Sequence, residues 1–138
     1  FWSEDDYDYQ RTVDKVAIAR VMDTEGDDLK QMVLRRQAWF PAEVAAGPTA
    51  IERFDPALFT ERSSTEGPWI EHRQFYSLNP HLVRRDLLSV LRWPAMANSE
   101  HEFSRRLFRD KRVRCGIWGA KSDEPWAIHS GERVGIGY

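Results

Sequence analysis

Residues 79–118 read NPHLVRRDLLSVLRWPAMANSEHEFSRRLFRDKRVRCGIW, and the spacing of their apolar side chains changes partway along. Asn79-Pro80 offers an N-cap followed by a proline in the first turn. Behind it Val83, Leu87, Val90 and Leu91 recur as i, i+4, i+7 and i+8, the stripe of an amphipathic helix, and Pro94 stops it. Ser99 with Glu102 spells a capping box, S-x-x-E, ahead of a second helix that turns Phe103 and Leu107 inward. After Asp110 the period drops to two, with Val113, Cys115 and Ile117 alternating with Arg112, Arg114 and Gly116. Trp126 with Ile128, then Val134, Ile136 and Tyr138, form later runs of the same kind, punctuated by Gly119 and Ser130-Gly131. The expectation is an α+β fold in a single domain over residues 1–138. Its central helices span about 80–93 and 99–110 and pack with a C-terminal antiparallel β-meander over about 112–138.

Upstream the patterns are less decided. Val16, Ile18 and Met22 interleave with Ala17, Ala19 and Val21, which suits either a doubly buried strand over 15–23 or a short helix. Thr24–Asp28 reads as a turn around Gly26. From Asp28, Leu29, Met32, Val33 and Phe40 fall near one helical stripe that ends at Pro41. Arg36 interrupts that stripe, and a strand paired with 15–23 competes with the helix. Residues 41–68 hold four of the seven prolines and read as a connector, with a helical turn opening at Asp55-Pro56. WIEHRQFY (69–76) alternates like a strand with one mixed face. Residues 1–14 mix aromatics with acids and read as an extended arm that orders by docking its rings.

A chain of 138 residues suits one domain and buries a core without staples. Leu, Ile, Val and Phe are only 31 of those residues, so six Trp, seven Phe and four Tyr carry much of the core. No window approaches the roughly 18 apolar residues of a membrane span. A lone cysteine excludes an internal disulfide and leans toward an intracellular setting. The chain opens at Phe1 without a signal segment, which fits a processed organellar subunit or a fragment equally.

The formal charge of −2 hides two poles. Residues 1–28 hold nine acids against three bases, and residues 81–121 hold ten bases against four acids. Sixteen of the twenty basic residues are Arg, which favours planar, two-point contacts with carboxylates or phosphates. The acidic segment either folds back over the basic half or leaves it facing an anionic partner.

Sequence signatures of catalysis are nearly absent: no phosphate-binding glycine loop, no G-x-S-x-G and no H-E-x-x-H. The four histidines and Cys115 lack zinc-ligand spacing, so neither metal nor cofactor is implied. The one catalytic pairing to weigh is Cys115 with His129, with Asp123 or Glu124 orienting the imidazole. Against it, Cys115 shares its inward face with Val113 and Ile117 and reads as a small hydrophobe.

The basic residues are the stronger signal. Arg105, Arg109 and Arg112 would line one face of the second helix, and Arg85 and Arg92 the polar face of the first. Two helices and an antiparallel ribbon follow the order of a winged helix, which makes a nucleic-acid binder using residues 99–112 the alternative function. A Cys-His hydrolase is a more distant one. The favoured expectation is a non-catalytic accessory or adaptor subunit of a larger assembly. It would grip protein partners through Phe1, Trp2, Tyr7 and Tyr9 of the arm and through the arginine-rich helical face.

Overall fold

The computed structural model describes residues 1–36, 56–87, 92–96, 99–109 and 112–130. Over these the chain runs β1 (Tyr7–Tyr9), α1 (Lys15–Glu25), β2 (Leu29–Leu34), a 3-10 turn (Pro56–Leu58), β3 (Phe59–Ser64), β4 (Gly67–His72), β5 (His81–Val83), α2 (Ser99–Leu107), β6 (Arg114–Trp118) and β7 (Ala127–His129). The expected mixture of helix and strand is present, but the strands form a five-stranded sheet of order β3-β4-β6-β2-β5 and a separate β1-β7 pair. No helix among the described residues is long and apolar enough to cross a membrane.

Asp14 decides the 15–23 run in favour of helix. Its Oδ1 accepts hydrogen bonds from the amides of Val16 and Ala17, both at 3.0 Å, satisfying donors the first turn leaves open. Burial then falls on Ala17, Ile18, Val21 and Met22, a helical spacing. Gly26 ends α1 at φ 101°, a conformation glycine adopts without strain. Arg84 finishes that end by donating to the carbonyls of Met22, Gly26 and Leu29.

The helix expected from Asp28 is strand β2 instead, and it does not pair with 15–23. It runs parallel to β6, with Met32 opposite Gly116, and antiparallel to β5, with Met32 opposite Leu82. Four of its six residues in a row, Gln31 to Leu34, are buried. A strand covered on both faces shows no alternation, so its apolar residues imitated a helical stripe.

β4 lies antiparallel to β6, with Trp69 opposite Trp118 and His72 opposite Cys115, and β3 forms the edge with Phe59 opposite His72. Strand alternation sorts these side chains into two faces. Met32, Leu34, Trp69 and Trp118 pack with Ile18, Val21 and Met22 of α1. The other face carries Phe59, Ile70 and Ile117, and toward β5 meets Tyr76, Leu87, Phe103 and Leu107 around α2.

Three further expectations are corrected. The helix over 80–93 begins as strand β5: Leu34 donates to the Pro80 carbonyl and Arg84 to that of Lys30, so Asn79-Pro80 introduces a strand. Residues 88–91 lie outside the described residues. The second helix is in place but ends at Leu107, and Glu102 turns its carboxylate to Arg105 and Arg106 instead of closing a capping box. Among the described residues the meander is not found: β6 is the central strand of the large sheet, while β7 pairs with β1. The winged arrangement loses its ribbon with it. The third run, 134–138, lies outside the described residues. So do positions 41–55 of the connector, whose remainder forms the turn expected at Pro56, then β3 and the start of β4.

Candidate functional site

The N-terminal segment docks on its own chain. Tyr7 is buried, with its hydroxyl donating to Asn79 Oδ1 at 2.8 Å and its ring edge-on to His129. Trp2 exchanges two backbone hydrogen bonds with His81, at 2.8 and 2.9 Å, which adds a bridge to the outer side of β5. The side chains around that bridge stay out: Phe1 is 52% exposed, Tyr9 41% and Trp2 36%. Phe1 stands 6.3 Å from the Tyr9 ring and carries the Lys15 ammonium over its face.

Phe1 also lines an open cleft of about 400 Å³ between α1 and β5, with Met22, Leu82, Arg84, Arg85 and Asp86. The charges around it are unequal. Arg84 is engaged by Asp23 and Asp27, and Asp86 by Lys30 at 2.7 Å. Arg85 is exposed and makes no ion pair among the described residues.

The other arginines singled out from the sequence do not form one face. Arg105 stands on α2 and is paired with Glu102 at 2.8 Å. Arg109 lies past the end of the helix and Arg112 just before β6, both exposed. Arg92 is exposed and outside any described helix. Arg92 and Arg109 make no ion pair among the described residues. Part of the bipolar charge is cancelled within the chain, because Asp23, Glu25, Asp27 and Asp28 engage Arg84 and Arg114.

Cys115 and His129 are not brought together. Cys115 is fully buried in β6, between Gln31 and His72, and that burial pushes its thiol far up from its ordinary range. His129 stands on β7, opposite Tyr7, with its Nε2 3.0 Å from Asp6 Oδ2. Asp6, not Asp123 or Glu124, is therefore the carboxylate beside the imidazole. Asp123 instead accepts from the Ala120 amide.

Two of the histidines, His72 and His81, are buried. His81 has Nδ1 2.7 Å from the Asn79 carbonyl and Nε2 3.2 Å from the Tyr76 hydroxyl. His72 accepts at Nδ1 from the Gln74 amide and stacks on Phe75. Burial lowers both, to about 4 for His81 and about 3 for His72, so both are neutral at physiological pH.

Glu4, Asp6 and His129 make a cluster the sequence reading did not find, with one ligand atom of each within 4.8 Å of the others. Glu4 and Asp6 share a period-two spacing, but only the pairing of β1 with β7 sets them beside a histidine more than 120 positions away. No family model, curated protein or solved structure matches the chain.

Proposed function

We propose that this chain is a non-catalytic accessory subunit that grips a protein partner across the cleft between α1 and β5. The observation that carries the reading is Arg85, exposed and without an ion pair among the described residues, on the lining of a cleft shared with the half-exposed ring of Phe1. Exposed aromatic and arginine side chains are the types enriched where protein surfaces meet. The cleft's acids are already engaged by Arg84 and Lys30, which leaves Arg85 as the charge a partner would answer. A partner segment presenting an apolar side chain beside a carboxylate fits this chemistry. Trp2 and Tyr9 extend the same surface, and Arg92 and Arg109 offer further guanidinium groups that form no ion pair among the described residues. Tyr7 serves the core of the chain instead.

The test is purification of the native, untagged protein with whatever macromolecule accompanies it, followed by titration of that partner against purified variants. Phe1→Ala and Arg85→Glu should each weaken binding at least tenfold. Arg105→Ala, whose charge Glu102 already answers, should leave it close to unchanged. A monomer that retains no protein partner, or binding indifferent to both cleft variants, sinks the proposal. Oligonucleotide binding that collapses with added salt, and is lost in an Arg85/Arg92/Arg109→Ala protein, would replace it with a nucleic-acid function.

A further inference from the structure

We propose that Glu4, Asp6 and His129 together bind one divalent transition-metal cation, zinc in preference to manganese, which fastens the N-terminal segment to β7. The geometry suits a single ion. One ligand atom from each residue lies within 4.8 Å of the other two. His129 Nε2 and Asp6 Oδ2 are 3.0 Å apart. Ligand atoms on a tetrahedral ion with bonds of about 2.0–2.1 Å are separated by about 3.3 Å, so with a small shift a cation can take the place of that hydrogen bond.

A second observation points the same way. The other oxygen of Asp6, Oδ1, is shut off from solvent and accepts no hydrogen bond among the described residues. A buried carboxylate oxygen left without a donor needs a positive group to answer it. No lysine or arginine among the described residues forms an ion pair with Glu4 or Asp6, and the basic side chain beside Asp6 is His129.

The ligands are held in advance. Ser130 donates to the Asp6 carbonyl through both its amide, at 2.8 Å, and its hydroxyl, at 3.0 Å. The Tyr7 ring stands edge-on to the imidazole with centroids 4.8 Å apart. Glu4 is the exposed member and lies toward solvent, where an ion enters. One imidazole with two carboxylates is a borderline donor set, better suited to zinc or manganese than to calcium or magnesium, and zinc stands above manganese in divalent affinity. The inference does not depend on the partner cleft.

The experiment titrates the full chain, stripped by chelator, with zinc chloride in a calorimeter and with cobalt(II) in an absorption spectrometer. The expected result is one ion per chain, a visible cobalt band, and an unfolding temperature that climbs with zinc concentration. Glu4→Gln, on an exposed side chain, and His129→Gln should each weaken zinc binding at least tenfold with an unchanged circular dichroism spectrum. His101→Ala, which removes an exposed histidine of α2, should bind as the parent does. Absence of saturable binding, or tight binding that survives in either ligand variant, overturns the proposal. Should His129→Gln fail to fold, Glu4→Gln decides alone.

Discussion

The guanidinium of Arg114 meets the carboxylate of Asp28 through two parallel hydrogen bonds, Nε to Oδ2 and Nη2 to Oδ1, both 2.8 Å long. The same group donates to the Glu25 carbonyl and reaches Glu71, while the Arg114 amide donates to the Asp28 carbonyl at 2.8 Å. Asp28 leads into β2 and Arg114 opens β6, so this fork sets the start of the parallel pairing at the centre of the sheet. A lysine cannot make the fork. Arg114→Lys is expected to destabilise the fold by about 1–2 kcal/mol and Arg114→Ala by about 2–3 kcal/mol, short of a fully buried pair because Asp28 keeps contact with water. Urea unfolding at neutral pH measures both, and a lysine variant as stable as the parent would contradict the account. Arg114 also holds the Asp28 carboxyl below its usual range. That stabilisation is present above the unfolded carboxyl pKa and is lost as pH falls through the folded one, so the Arg114 variants should differ least from the parent in strong acid.

His72 and His81 give the protein a second, separate response to acid. Burial holds them at about 3 and about 4, against about 6.5 in an unfolded chain. Below about pH 6.5 the unfolded chain therefore binds protons that the fold refuses, and stability falls with pH until each folded pKa is reached. With both sites contributing, the slope between about pH 6 and 4.5 should approach about 2.7 kcal/mol per pH unit. Glu100 acts in the opposite sense, since burial raises its carboxyl, and its effect begins nearer its own range. Urea midpoints across this window test the claim, and His81→Gln should remove about half the slope. A flat profile above pH 4.5 would mean that water reaches these rings.

What the sequence disclosed follows the locality of each signal. Phe103 and Leu107 announce α2 because an amphipathic surface helix repeats its apolar side chains within one turn. Cys115 was legible as inward-facing because its neighbours two positions away are apolar. β2 was not, because pairing on both sides and cover on both faces erase alternation from Gln31 to Leu34. β5 is three residues long, and Val83 happened to continue the spacing of Leu87, so a strand edge passed for a helix start. Glu4, Asp6 and His129 were invisible for a different reason. Their proximity exists only through the β1-β7 ladder, and nothing within ten residues of any of them encodes it. Residues 1–14 read as an arm that orders by docking its rings; of those rings Tyr7 is buried on the same chain, while Phe1, Trp2 and Tyr9 stay exposed.

Gly116 is where the centre of the sheet tolerates least change. A Cβ there would stand 2.6 Å from Met32 Sδ and 2.9 Å from Trp69 Cε3, too close for either to remain in place. Met32 can swing its thioether, but Trp69 is fully buried against α1 and has nowhere to go. Gly116→Ala should therefore lower stability by about 1–3 kcal/mol through overpacking. The diagnostic is coupling: combined with Met32→Ala, which opens a cavity at the same spot, the loss should be smaller than the two single losses added together. Strict additivity would place the strain elsewhere.

Cys115 supplies the last and sharpest check on the central strand. Its side chain is fully buried between the β2 and β4 neighbours Gln31 and His72, and burial raises its thiol well above the ordinary range. Attack on a disulfide reagent needs both a thiolate and access, and the native fold denies the two together. The thiol should accordingly react with a disulfide reagent at mildly alkaline pH only as fast as the chain opens, and at once in concentrated guanidinium. Arg114→Ala, by loosening the start of β6, should speed the native reaction about in proportion to its loss of stability, roughly tenfold for each 1.4 kcal/mol. Rapid labelling of the unmodified protein without denaturant would show an open route to the sulfur, and with it a central strand unlike the one described.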